Sequence, residues 1–528
     1  MPRNNVPLPD RTWWTAVIYI AAVAMFLRFY ELPLKPLHHD EAVNAFFLTK
    51  LVRPPHLYEY DPANYHGPTL YYFGWLSTLL FGVTTFAIRF VTAVAGLAAV
   101  LLMLVLRRHI GAVGALSAAT LIAISPGAVY FSRYFIHEML LVCFTLGTVV
   151  AAAMWLSHGR SLYVYLAALS AGLMFATKET AIISTVVVIA AAAGAAWFVE
   201  LRSAARGSGA APSPLRLSSI LAAWRSAVST RPPHARRLLL LIQAIALFLA
   251  VTLLFYTSLF TYWQGANDAV NTFAIWTKTG TTAHTRQWHA YLNWLSQEEL
   301  PLLLLGGTGA GLALLKAESR FIVFAALWAV GILAAYSVIP YKTPWLALNV
   351  IVPLAITGGY ASELIWRHRR VVPTSVATVV AAAVVGVAGY QTVVLNFVRY
   401  DDGRYPYVYV HTYRDVLALV DEIHRLQSHN PGLTIAITSR DQFPLSWYLR
   451  DYRAGYHGRP VATNDSLVIA SQEQQEALGR LLGERYNPLG SYRLRPGVRL
   501  VLYARRDLEG VALPNDDRAI KQGAARKE

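Results

Sequence analysis

Long apolar runs recur along most of this chain, separated by short polar breaks. They lie near residues 12–30, 86–106, 111–129, 135–156, 161–177, 180–199, 238–260, 301–315, 321–338, 345–362 and 372–397. Most approach or exceed the roughly 18–20 residues that carry an α-helix across a bilayer core, so about eleven membrane spans are expected. The run TLYYFGWLSTLLFG, 69–82, is apolar but short, and Gly67-Pro68 supplies a turn in front of it. It reads as an interfacial or re-entrant helix. After Tyr400 the pattern changes. Residues 433–440 and 466–471 read as strands, 444–452 and 472–485 as helices, and 492–505 as a hairpin or two strands. The expected fold is an α-helical polytopic membrane domain over 1–399, a small α/β domain over 400–506, and a disordered tail over 507–528.

Composition supports a membrane protein. Charged residues make up 14% of the 528 positions, against roughly 25% in soluble domains, and mean hydropathy is +0.40. Lys and Arg outnumber Asp and Glu by 46 to 30. In a soluble chain such a surplus points to nucleic acid. Here it sits in loops between apolar runs, which indicates topology and anionic lipid instead. A cytoplasmic N-terminus puts Arg107, Arg108, Arg160, Lys316, Arg320 and Arg367 inside, together with an Arg-rich linker at 200–237. A spanning 69–82 segment would reverse every later loop. The loops at 31–85 and 261–300 and the C-terminal domain then face outward, in a plasma or inner membrane. The first run is too long for a signal-peptide core. Cys143 is the single cysteine, so an internal disulfide is excluded.

The first outer loop opens with LHHDEAVNAFF, 37–47. A helix over 40–52 puts Val43, Phe46, Phe47 and Leu51 on one face, with Asp40 and Asn44 a turn apart on another and Glu41 beside them. Acids at a helix N-terminus stay ionised, and an ionised carboxylate at a membrane-facing cavity can take a proton from a hydroxyl. Asp is also an ordinary helix cap, and the sequence leaves both readings standing. His38 and His39 with these acids offer ligands for a divalent cation, although adjacent helical positions diverge. Interfacial hydrogen bonding explains the histidines equally well. YEYDPANYHGPTLYY, 58–72, adds Tyr65 and Tyr71 as sugar-stacking faces and His66 as a phosphate contact; Tyr at an interface is also common. In SPGAVYFSRYFIHEML, 125–140, Arg133 and His137 are a turn apart, as are Tyr134 and Glu138. Arg suits bidentate phosphate binding, or a local ion pair between spans. ATKETA and YKTPW bring Lys178 and Lys342 to the same side. Three basic outer turns against the general charge rule suggest an anionic-lipid site.

HHDEAVNAFF, YHGPTLYY, YFSRYFIHE, KET and YKTPW, in this order over roughly residues 10–400, resemble the GT-C membrane glycosyltransferases. These include the protein O-mannosyltransferases and lipid A aminoarabinose transferases, and the set is most similar to a prokaryotic branch labelled flippase-activity-associated. The resemblance implies an inverting transferase that uses a polyprenyl-phosphate sugar. It implies Asp40 as base with Glu41 beside it, and Arg133 with Glu138 as the Arg-plus-acid pair, where the mannosyltransferases carry Asp. The large lumenal domain of those enzymes has no counterpart in the short 261–300 loop. Arg133, Lys178, Lys342 and His66 are the expected donor-phosphate contacts. His39, Asn44, Tyr65, Tyr71, His137 and Glu138 are the expected cavity lining. No cofactor is implied with certainty. The alternative is a sugar-lipid flippase or a non-catalytic partner in glycan assembly. Transport favours ionisable groups deep within spans, whereas the charges here cluster at span ends.

Overall fold

The computed structural model describes residues 8–64, 66–207, 234–282, 285–369 and 371–508. Most of the expected 200–237 linker, nearly all of the expected tail, and Tyr65 lie outside the described residues. Two compact units are present. One comprises the chain to Leu32, Lys50–Arg399 and Tyr405–Tyr407; the other comprises Pro33–Thr49, Tyr400–Arg404 and the chain from Val408.

The first unit is helical. Eight of its described helices are long and apolar enough to cross a membrane, and two bent helix pairs raise the count to ten if each is one span. With the shorter apolar helix Ser161–Phe175, these account for the eleven apolar runs read from the sequence, and the protein is a multi-pass membrane protein. The helix Thr69–Phe81 has 13 residues, about 20 Å at 1.5 Å per residue, too short to span.

Both bends have local causes. Ala112–Ala123 and Pro126–Ser132 meet at 58°, and Ala290–Glu298 and Leu300–Lys316 at 115°. Pro126 and Pro301 each occupy the first turn of the second helix, where the missing N–H costs nothing. The Ser125 hydroxyl caps its helix by accepting from the Ala128 N–H at 3.1 Å. Glu299, at the other bend, accepts from the Ser125 hydroxyl and the Gly127 N–H, both at 2.7 Å. One carboxylate therefore satisfies the open N-terminus left by the first break.

The Leu348–Arg367 helix is buried over nearly its whole length. Its neighbour approaches through glycine: a Cβ at Gly309 would strike the Thr357 carbonyl, and Thr357 Oγ1 donates to the Gly306 carbonyl at 2.8 Å. Close backbone approach through small residues is the usual packing device where lipid removes the hydrophobic drive.

The second unit is built on a five-stranded mixed sheet: β1 (Thr434–Ile437), β2 (Arg453–Tyr456), β3 (Leu467–Ser471), β4 (Tyr486–Arg495) and β5 (Val498–Arg505). The order is β2-β1-β3-β5-β4. β1 is parallel to β2 and β3, while β5 is antiparallel to β3 and β4. Alternating side chains divide the core. Ile435, Ile437, Leu467, Ile469 and Leu502 pack on one face with Leu419 and Ile423 of the Asp415–His429 helix and with Leu445 and Leu449. Ala436, Val468, Ala470 and Val501 pack on the other with Leu478 and Leu482 of the Gln475–Leu482 helix. This is the α/β domain expected after Tyr400. The 415–429 helix and β2 were not foreseen.

Candidate functional site

In the membrane unit, the segment before Thr69–Phe81 joins the turn after Ser161–Phe175. Gly67 N–H donates to the Thr177 carbonyl at 3.0 Å, and His66 and Lys178 form an isolated antiparallel bridge. A Cβ at Gly67 would overlap the Ala176 carbonyl, so this junction requires glycine. The pairing gathers residues from three distant stretches. His66 Nδ1 meets a Glu179 carboxylate oxygen at 2.9 Å. The Lys178 ammonium is ion-paired with Glu138. His137 Nε2 donates to the Gly67 carbonyl at 3.1 Å, and its ring lies 4.8 Å from that of His66. Tyr71 packs edge-on to His137 at 5.5 Å, and its hydroxyl accepts from the Asn64 amide at 2.6 Å. His66, Lys178, Glu179, Trp276, Tyr336 and Tyr341 line a cavity of about 30 Å³.

Burial sets the protonation states here. Desolvation alone would depress Lys178, but the Glu138 and Glu179 carboxylates more than offset it and raise it above the ordinary lysine value. Glu179 is opposed by its own burial, yet His66 and Lys178 hold it below the usual carboxylate range. Burial, reinforced by His66 and Lys178, pushes His137 well down and keeps it neutral.

The expected phosphate contacts thus divide. Lys178 is already paired with a carboxylate, as is His66. Arg133, almost wholly buried, directs its Nη atoms to the carbonyls of Leu27, Arg28, Tyr30 and Glu31, at 3.3, 3.3, 2.6 and 2.7 Å. That is the end of the Asp10–Phe29 helix, where carbonyls concentrate negative potential. Arg28 likewise donates to the carbonyls of Ile122 and Ala123, at 3.0 and 3.1 Å. Arg89 donates to the Leu32 carbonyl at 3.0 Å. Lys342, also buried, donates to the Ile339 carbonyl. Among the described residues Arg28, Arg133 and Lys342 form no ion pair. The sequence reading missed Arg28 and Arg89. The available signal was a lone charge inside an apolar run.

In the second unit, the His39–Val52 helix starts with a cap built from side chains. His38 Nδ1 accepts from the Asp40 N–H at 3.1 Å, and Glu41 accepts from the His38 N–H at 2.9 Å. The arrangement is close to a capping box, with His in place of Ser or Thr and accepting from the second helical N–H rather than the third. His38 Nε2 donates to the Tyr409 carbonyl at 2.9 Å, so Nε2 carries a proton. His39 Nδ1 accepts from Arg495 at 3.0 Å, and burial, against the pull of Asp40, keeps this ring below its ordinary value. Glu41 is buried, as is Asn44. Asp40 differs: its side chain is 41% exposed, the His38 ring lies 4.0 Å away, and among the described residues its carboxylate accepts no hydrogen bond. The helix buries Ala42, Ala45, Leu48 and Leu51 and leaves Phe46 exposed.

Both His38 nitrogens and His39 Nδ1 are engaged with protein groups, which does not suit the cation suggested for this pair. Among the described residues no group of three or more His, Cys, Asp or Glu is arranged to hold a metal ion.

Residues 65–207 match the family described as dolichyl-phosphate-mannose-protein mannosyltransferase. No curated protein matches the chain. The fold is similar to that of ArnT from Cupriavidus metallidurans bound to undecaprenyl phosphate, with a TM-score of 0.62, 16% identity, and 95% of this chain and 99% of that chain covered. It also resembles the Archaeoglobus fulgidus oligosaccharyltransferase in complex with Zn and sulfate, with a TM-score of 0.53, 14% identity, and 90% and 72% covered. AglB of the same organism, in complex with an inhibitory peptide and a dolichol-phosphate, matches at 0.53 and 14% identity over 88% and 70%. The chain therefore has the ArnT-like fold, with a mannosyltransferase-family match confined to residues 65–207.

Proposed function

We propose that this protein is a membrane glycosyltransferase that moves a sugar from a polyprenyl-phosphate donor to an acceptor hydroxyl on the extracytoplasmic face, inverting the anomeric carbon. The observation that carries the reading is Asp40. It sits at a capped helix start and is half-exposed, while Glu41 beside it is consumed by the cap. A base must be free to accept a proton, and Asp40 alone of the acidic pair is. The similarity to folds solved with undecaprenyl phosphate and a dolichol-phosphate supports the donor class. The finer placement beside the flippase-activity-associated branch rests on the ordered motifs of the sequence.

In this reaction Asp40 takes the acceptor hydroxyl proton and the oxygen bonds to the anomeric carbon. The bond from that carbon to the phosphate oxygen breaks, and the phosphate leaves with the electron pair. The resemblance assigns Arg133 and Lys342 to the donor phosphate, and both are tied to carbonyls rather than carboxylates. Lys178 and His66, already paired, hold the turns that frame the donor. Fixed charges of this kind are worth several kcal/mol, of order 10²–10³ in rate per group.

The test is transfer from labelled polyprenyl-phosphate hexose in reconstituted vesicles, run with and without a chelator. Label on an acceptor supports the reading, and a chelator effect would add a cation. Intact sugar-lipid crossing the bilayer with none transferred would replace the reading with a flippase.

A further inference from the structure

The sheet unit has a cavity of about 830 Å³ that the transfer chemistry does not use. It lies at the carboxyl ends of all three parallel strands. Arg440 and Asp441 follow β1, Arg459 follows β2, and Glu473 follows β3; Arg495 and Arg499 come from the β4–β5 hairpin. The connection leaving β1, through Leu445 and Leu449, runs on one face of the sheet, and the helix following β3, through Leu478 and Leu482, on the other. Adjacent parallel strands whose connections part to opposite faces open a crevice between them, and open α/β sheets bind ligands there. The volume falls within the roughly 300–1,000 Å³ of small-molecule sites.

The charges say what fits. Arg495 is ion-paired with Asp441. Arg440, Arg459 and Arg499 are exposed, and among the described residues none of their side chains has a hydrogen bond or ion pair, although the Arg499 charge helps to hold Asp415 below the usual carboxylate range. Guanidinium groups bind phosphate and carboxylate through paired N–H donors. Asp441 and Glu473, which also line the cavity, repel an anion but accept hydrogen bonds from hydroxyls. A ligand carrying both anionic groups and hydroxyls satisfies both sets; a bare anion does not. Arg495 also donates to His39, next to Asp40, so the lining is joined directly to the acidic helix.

We propose that this cavity binds an anionic saccharide, bearing phosphate or carboxylate, and that it recognises the acceptor. The acceptor role rests on the transferase reading; the binding does not. The probe is glucose 1,6-bisphosphate, titrated calorimetrically into the full chain in neutral detergent, with glycerophosphoglycerol as the soluble analogue of an anionic lipid headgroup. The expected result is saturable binding of the sugar bisphosphate that weakens about tenfold for each of Arg440→Ala, Arg459→Ala and Arg499→Ala, fades with salt, and persists in Asp40→Asn. These arginines are exposed, so the variants should keep the wild-type thermal midpoint. Absence of binding, equal binding by wild type and the triple variant, or saturation by glycerophosphoglycerol alone would overturn the assignment. Binding that persists in a chain without transfer activity would sink the transferase reading and leave the site.

Discussion

Lys178 and Arg459 are each a single cation in a loop, and the two units treat them in opposite ways. Lys178 is 6% exposed and ion-paired with Glu138. Arg459 is exposed and, among the described residues, unpaired. The difference follows from solvation. Removing a charge from water costs several kcal/mol unless a partner or a row of dipoles replaces the lost hydration. The membrane unit does this with carboxylates at Lys178 and with helix-end carbonyls at Arg133 and Lys342. The sheet unit pairs most of its arginines at the surface but leaves Arg440, Arg459 and Arg499 in water without an ion pair among the described residues, where a ligand can reach them. Lys178 is compensated where it is buried, and Arg459 is left in water where a ligand can reach it.

That contrast can be broken at its strongest point. Lys178→Ala leaves Glu138 buried and uncompensated, and should cost about 3–5 kcal/mol, seen as a large drop in the thermal midpoint of the detergent-solubilised protein. The double variant Lys178→Met, Glu138→Leu should recover most of it. A single variant as stable as wild type would show that the pair is hydrated.

A smaller effect is expected from acid. Glu179 is held below the usual carboxylate range by His66 and Lys178 against its own burial, so its contribution is complete above the unfolded value of about 4.3 and is lost as pH falls through the depressed folded value. The thermal midpoint should therefore decline below about pH 4, and Glu179→Gln should flatten that decline while lowering stability at neutral pH.

Smaller still is the Asp415–Arg493 pair of the sheet unit, at 2.8 Å and partly exposed. Asp415→Asn should cost at most about 1 kcal/mol, and less in high salt. Arg459→Ala should lie within about 0.5 kcal/mol of wild type. A larger loss at Arg459 would mean that it supports the fold.

Legibility followed the range of the interactions. The spans were readable because each apolar run is local, and even the bent pairs kept their place in the count. β1, β3 and the hairpin were readable from alternation. β2, with the short sequence Arg453–Tyr456 and no fully buried position, offers no apolar alternation, since its pairing to β1 is decided by tertiary context. The Asp415–His429 helix did carry a signal, with Val416, Leu419, Ile423 and Leu426 buried at helical spacing. The clustering of Pro33–Thr49 with a domain more than 350 residues away has no local signature. At the site, the residue types were legible, but their partners were not: no motif announces that Glu41 is bound into a cap by histidine while Asp40 is free, or that Lys178 is neutralised by Glu138.

The central claim is that Asp40 is the general base of sugar transfer, and single-turnover transfer by Asp40→Asn in reconstituted vesicles tests it most directly. The account predicts a fall of about 10²–10⁴ in rate, with an unchanged thermal midpoint and retained binding of the polyprenyl-phosphate donor. Turnover close to that of the unaltered protein would contradict it.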